Sequence, residues 1–237
     1  QTNTTKNAQL VGADYSQIEL RVLAHISGDK GLIDAFLNDQ DIHTATAAKV
    51  FSVHQKDVTR EMRDTAKMIN FGIIYGMGEF GLSSRTGLSR SDAGDFIETY
   101  YQQYPGIKQW QEQTLESTRK TGYAETLLGR RRFLPGILNR NFQVRSATER
   151  EAINMPIQGT AADIIKIAML RLHNEVLEQT LESKMILQVH DELIYECPEQ
   201  EIETIKAMLK RVMPSSMNLA VPLKVDLKQG TTWASMK

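Results

Sequence analysis

Near the start of the chain, apolar positions switch from a strand-like run to helical spacing. In AQLVGADYSQIELRVLAHISGD, Leu10 to Ala13 predicts a short strand, and Ile18, Val22, Leu23 and Ile26 predict a helix that Gly28 would stop. Asp14 is therefore expected at a strand end. From Ile33 to about Arg150 the pattern is mainly helical, interrupted by HTATAAKVFSVHQKDVT, by Gly76, Gly78 and Gly81, and by QQYPGIKQW. After Pro156 it predicts a helix over Ala161 to Leu177 and strands over Met185 to Val189 and Leu193 to Tyr195. A helix over Glu199 to Val212 and a last strand over Pro222 to Asp226 follow. Strands at both ends with helices between them make an α+β chain, without repeats or low-complexity tracts.

The two strands after the long helix meet at His190, Asp191 and Glu192. A tight hairpin turn needs positive φ and is usually closed with Asn-Gly or Asp-Gly, yet no glycine stands here. Acidic residues at a hairpin tip are ordinarily just solvated. A second strand-end carboxylate changes that reading, because Asp14 and Asp191 can meet if their strands share one sheet. Two carboxylates about 4 Å apart repel by roughly 1 to 4 kcal/mol, and a divalent cation would compensate. Mg²⁺ is usually bound by one or two carboxylates plus substrate phosphates. Two such ions about 3.5 to 4 Å apart can activate a hydroxyl and stabilise the leaving oxygen in phosphoryl transfer.

A second constellation lies in RDTAKMINFGIIYG, where Arg63, Lys67, Phe71 and Tyr75 recur every four residues and share one helix face. Two cations followed by two aromatics could hold a triphosphate at one end and stack a sugar and base at the other. The plainer account is an amphipathic helix with a snorkelling Arg/Lys pair. Gly76, Gly78 and Gly81 spell the dinucleotide fingerprint G-x-G-x-x-G, but that motif must follow a strand. Here it follows a helix, so the glycines read as a flexible exit from it.

The 237 residues, 41% of them hydrophobic, allow one or two domains with a substantial core. One cysteine, Cys197, excludes an internal disulfide framework and a cysteine-based zinc site. No apolar run is long enough to span a membrane, and the first ten residues lack signal-peptide regions. A soluble intracellular protein is expected. A net charge of −1 argues nothing about nucleic acid globally, but Arg119 to Arg150 holds eight basic residues against Glu125 and Glu149. Such a run matters for phosphate binding only beside a catalytic site.

DYSQIELR, RDTAKMINFGIIYG and QVHDELIYE resemble polymerase motifs A, B and C of the family A DNA polymerases, of the bacterial DNA polymerase I type. The likeness continues through YPGIKQW, ETLLGRRRFLP, EREAINMPIQGTAADIIKIAM and LAVPLKVD, in the expected order from Leu10 onward. The resemblance implies a right-hand architecture: an antiparallel palm sheet formed by residues 1–25 and 151–237, with helical fingers over 26–150 inserted. The thumb and first palm strands would precede this chain, making it a fragment. QTNTTKN also differs from the family's basic segment at that point.

The same resemblance implies the site. Asp14 and Asp191, with the Tyr15 carbonyl, would bind two Mg²⁺ ions, for which Mn²⁺ could substitute, and Glu192 would stand close by without being an essential ligand. Arg63, Lys67 and His43 would contact the triphosphate, with Lys67 also a candidate proton donor to pyrophosphate. Phe71 would pack on the sugar, and Tyr75 would stack near the template base. Glu19 would block a 2′-hydroxyl and so select deoxynucleotides, with Gln17 in support. Arg150, Asn154, Gln158 and His190 would contact primer and template. Phe71, where some relatives carry tyrosine, suggests discrimination against dideoxynucleotides. The implied partners are primer-template DNA and deoxynucleoside triphosphates, bound by a monomer in the bacterial cytoplasm or, in a eukaryote, in an organelle. The competing readings are a remnant that binds DNA without extending it, a single-subunit RNA polymerase, which lacks the glutamate gate, and a metal-dependent nuclease.

Overall fold

The computed structural model describes residues 8–236. In chain order these form β1 (Gln9–Tyr15), α1 (Ile18–Ser27), α2 (Lys30–Leu37), α3 (Ile42–Val50), α4 (Arg60–Ile74), α5 (Glu79–Thr86), α6 (Arg90–Gln103) and α7 (Pro105–Thr121). A short hairpin, β2 (Tyr123–Glu125) and β3 (Arg131–Phe133), leads to α8 (Phe142–Glu178). Then come β4 (Lys184–Val189), β5 (Glu192–Cys197), α9 (Ile202–Val212) and β6 (Val225–Gly230). The chain folds as two compact units: residues up to Val22 with Thr160 onward, and Leu23–Gly159. It passes from one to the other inside α1 and inside α8, the helices that also contain the expected domain boundaries at residues 25/26 and 150/151.

The first unit is built on a four-stranded sheet ordered β4-β5-β1-β6, antiparallel throughout, so the fold is α+β. Alternation along β1 buries Val11, Ala13 and Tyr15 and leaves Asp14 half-buried on the opposite face. The Tyr15 hydroxyl donates to the Met213 carbonyl at 2.7 Å beyond the end of α9, whose apolar stripe of Ile202, Ile205, Leu209 and Val212 is buried. Gly12 lies where a side chain would collide, since a Cβ there would stand 2.5 Å from Met236 Cε and 3.0 Å from Glu192 Oε1. Cys197 ends β5 fully buried, and burial pushes its thiol up to about 11.

The second unit is helical apart from the β2–β3 hairpin. Its apolar contacts include Ala124, Leu134, Ile137 and Ala152, packed with Leu115 and Met155. Several residues of this unit's basic run stand in surface ion pairs, Arg119–Glu149, Arg131–Glu125 and Arg132–Glu151 among them.

Several boundaries differ from the sequence expectation. HTATAAKV is helical as part of α3, because Asp41 caps it, accepting from the N–H groups of His43 and Thr44. The break at QQYPGIKQW shrinks to Tyr104, with Pro105 at the first position of α7, where its missing N–H does no harm. Gly81 lies inside α5, where a Cβ would press on Met77 at 2.8 Å, and only Gly76 takes a positive φ, +78°. These glycines permit close packing and a turn; they are not simply a loose exit.

Pro156 does not begin a new helix, because α8 runs through it. A proline inside a helix loses one hydrogen bond and costs about 3 kcal/mol, which burial of Ala152, Ile153, Ile157, Ile164 and Ile165 on both sides offsets. Residues Glu199–Glu201 form a 3-10 turn before α9. The final strand is Val225–Gly230, not Pro222 to Asp226, since its alternate polar residues Asp226 and Lys228 mask the strand pattern.

Candidate active site

The sheet brings the acidic residues of the first unit together. β1 and β5 are neighbours, Asp14 stands opposite Glu192, and the Tyr15 N–H donates to the Asp191 carbonyl at 3.3 Å. On its other side Asp14 stands opposite Asp226, which accepts a hydrogen bond from the Ser16 hydroxyl. The Lys228 ammonium lies 3.9 Å from Asp14 Oδ2 and 3.6 Å from Glu192 Oε1. Asp14 is held above the ordinary carboxylate range, by burial first and then by Asp191, with Lys228 opposing and Glu192 and Asp226 adding to the rise.

The turn at the tip answers the missing glycine. Val189 pairs with Glu192, so His190 and Asp191 are its two central residues, and His190 itself takes φ +52°. Gln17, between β1 and α1, takes φ +55°. A non-glycine residue in this region costs of the order of 1 kcal/mol or more; Asp39, Ser52 and Thr180, just past the ends of α2, α3 and α8, adopt it as well. Gln17 follows the strand that bears Asp14, and His190 precedes the strand that bears Glu192. Glu19 is half-buried in the first turn of α1.

Among the described residues no three His, Cys, Asp or Glu side chains form a ready-made metal cage. The donors nonetheless suit a hard cation. They are all oxygens, they repel one another, and Glu192 Oε1 is buried without a hydrogen-bond partner. Such a set fits Mg²⁺, which takes few protein carboxylates and completes its shell with water and phosphate.

The second unit carries the other candidates. Arg63, Lys67 and Phe71 lie on α4 and Tyr75 caps its C-terminal end, with Phe71 and Tyr75 stacked at 6.1 Å between ring centroids. Arg63 pairs with Asp41 at 2.6 Å, and hydrogen bonds from Arg63 and Thr44 pull the Asp41 carboxyl, against the opposing effect of burial, down to about 2. Exposed pairs of this kind contribute under about 1 kcal/mol, so a polyphosphate can displace Asp41 from the guanidinium. His43 is buried with its ring 5.9 Å from that of Phe71, accepts at Nδ1 a hydrogen bond from the Asn70 side-chain amide at 3.0 Å, and has no partner for Nε2. Arg150 and Asn154, on α8, share an open cleft of about 1330 Å³ with Phe71 and Tyr75, rimmed by Phe80 and Phe142. Gln158 is exposed one turn further along α8.

Burial, with the Arg63 and Lys67 charges, pushes His43 down to about 4, and Asp41 opposes only in part. Its unfolded value lies near 6.5, so the unfolded chain binds the extra proton between these limits. Stability from neutral His43 is therefore present above about pH 6.5 and lost as pH falls toward 4. Relative to His43→Gln, the wild-type chain is expected to lose on the order of 2 kcal/mol over that window. Chemical denaturation at stepped pH reads the difference, and parallel curves for the two proteins would refute it.

Sequence reasoning did not single out Lys228, Asp226, Asp41, Phe80 or Phe142. The period-two spacing of Asp226 and Lys228 was a usable signal only with the strand placed correctly.

Residues 2–235 match the family described as DNA polymerase family A, and the chain belongs to that family. It is 51% identical over 234 residues to DNA polymerase I of Lactococcus lactis subsp. cremoris (strain MG1363), covering 98% of this chain and 27% of that protein. With DNA polymerase I of Bacillus subtilis (strain 168) it shares 49% identity, covering 98% of this chain and 26% of the relative. The chain thus spans about a quarter of the length of these relatives. Among solved structures, the POL domain of Pol1 from M. smegmatis in complex with DNA primer-template and dNTP superposes with a TM-score of 0.91 at 41% identity, covering 95% of this chain and 40% of that one. No described helix is long and apolar enough to cross a membrane.

Proposed function

We propose that this chain is the palm and fingers portion of a template-directed DNA polymerase that adds deoxynucleotides to a primer 3′ end and releases pyrophosphate. The observation that carries this reading is the sheet register that groups Asp14, Asp191 and Glu192 at one end of β1 and β5. The first unit is the palm and the second the fingers. Asp14 and Asp191, with the Tyr15 carbonyl, would hold two Mg²⁺ ions. Bound there, the ions would supply activation of the primer hydroxyl and charge stabilisation of the leaving oxygen.

The chain's own residues do the rest. Arg63, released from Asp41, and Lys67 bind the triphosphate, and Lys67 also offers a proton to pyrophosphate. A neutral His43 serves as a hydrogen-bonding phosphate contact without adding charge. Phe71 and Tyr75 present aromatic faces to sugar and base, while Arg150, Asn154, Gln158 and His190 position primer and template. Glu19, supported by Gln17, excludes the 2′-hydroxyl. The bacterial relatives fit a cytoplasmic setting, and the M. smegmatis complex with primer-template and dNTP fits these partners.

Primer extension on one labelled template with Mg²⁺ and each nucleotide type tests the reading. Extension with deoxynucleotides by the longer polymerase containing this chain is the expected result. Extension with ribonucleotides alone would indicate an RNA polymerase, and primer shortening would indicate a nuclease. Activity of the parent but DNA binding without extension by the chain alone would mark the chain as an incomplete catalytic unit.

A further inference from the structure

Four carboxylates, Asp14, Asp191, Glu192 and Asp226, stand near one end of the sheet, and the Lys228 ammonium reaches into them from the edge strand. In the β1–β6 register Lys228 lies opposite Gly12, two residues from Asp226, which puts its side chain on the same face as Asp14. Gly12 has no side chain, and the space over it is taken by the Met236 thioether and Glu192 Oε1. The Lys228 nitrogen comes to rest 3.6 Å from Glu192 Oε1 and 3.9 Å from Asp14 Oδ2. Glu192 is the most buried of these three side chains, at 14% exposure, and its Oε1 has no hydrogen-bond partner. Without Lys228, it would be a buried carboxylate oxygen facing other carboxylates.

We propose that Lys228 is a built-in counter-cation of this cluster: it holds Asp14 and Glu192 together when no metal is bound, and it weakens their affinity for free divalent ions. The inference rests on the metal-site reading above. A divalent ion entering beside Asp14 meets a positive charge a few ångströms away, and must either tolerate it or displace it from Glu192. Binding is then favourable mainly when a polyphosphate arrives with the ion and adds negative charge. Lys228 is in this sense a positioning residue, acting through the carboxylates.

A lysine on an edge strand has another ordinary use, since it discourages pairing with a second chain. That use depends on charge at the edge and predicts nothing about metal affinity, which separates the two accounts.

The test is Mn²⁺ binding to the full chain without nucleotide, measured by electron paramagnetic resonance, with Asp14→Asn as reference. Lys228→Met is expected to bind Mn²⁺ about tenfold more tightly than wild type. Lys228→Arg, which keeps the charge, should remain near wild type. In metal-free buffer Lys228→Met should also melt lower, and added Mg²⁺ should raise its melting temperature more than that of wild type. Should Lys228→Met not fold, Lys228→Gln keeps a polar edge residue and gives the same reading. Unchanged or weaker Mn²⁺ affinity on loss of the charge overturns the proposal, including where the variant dimerises. If wild type and Asp14→Asn bind Mn²⁺ alike, the metal-site reading itself fails and takes this inference with it.

Discussion

Asp14→Ala or Asp191→Ala is expected to reduce primer extension by at least about 10³-fold, with primer-template affinity nearly unchanged. Loss of a ligand removes metal-assisted charge stabilisation of several kcal/mol, and each 1.4 kcal/mol or so is tenfold in rate. DNA affinity arises instead from contacts to the phosphate backbone. Removing a carboxylate from a cluster that burial and neighbouring charges already strain should, in metal-free buffer at neutral pH, leave melting temperature unchanged or raise it. A mutant that is inactive and also clearly less stable would point to a structural role. Near-normal extension by either mutant would remove both residues from the chemistry.

Glu19→Ala is expected to raise the use of ribonucleotides relative to deoxynucleotides by about 10²-fold, because discrimination here would rest on a built-in clash. The competing account is that Glu19, in the first turn of α1, simply favours the helix dipole, by under about 1 kcal/mol. The two accounts differ in what changes. A lost gate alters substrate choice, whereas a lost helix-end charge alters stability alone. Single-nucleotide incorporation efficiencies for matched ribo- and deoxynucleotides decide between them. An unchanged ratio with a lower melting temperature would make Glu19 structural and bring the RNA polymerase reading back.

Much of this arrangement was legible because it depends on short-range pattern. Arg63, Lys67 and Phe71 recur at helical spacing along α4, and the same spacing carries on to Tyr75 at its C-cap. Asp14 and the 190–192 junction stand at strand ends, and strands at both ends of the chain are natural partners in one sheet.

Features set by tertiary context were not legible. The order β4-β5-β1-β6 places Lys228 beside Asp14 across more than 200 residues, and no local pattern encodes that pairing. The β2–β3 hairpin hid within a basic run because the Arg131–Phe133 strand is wholly exposed and has no buried face to mark it. α8 passes through Pro156 because burial on both sides outweighs a local rule. His190 adopts a glycine-like φ because the fold, and not its own preference, dictates it.

The state of Cys197 bears on which metals can poison the carboxylate cluster. β5 carries Glu192 at one end and the chain's single thiol at the other, five residues and so about 16 Å away. Cys197 is fully buried, and burial pushes its thiol up to about 11, so it is protonated at neutral pH. Soft ions such as cadmium or mercury, which seek sulfur, must reach a fully buried thiol and displace its proton to anchor on the strand that helps form the cluster. Where excess magnesium reverses inhibition by such ions, they act at the oxygen ligands of the cluster; where thiols reverse it and magnesium does not, Cys197 has been reached.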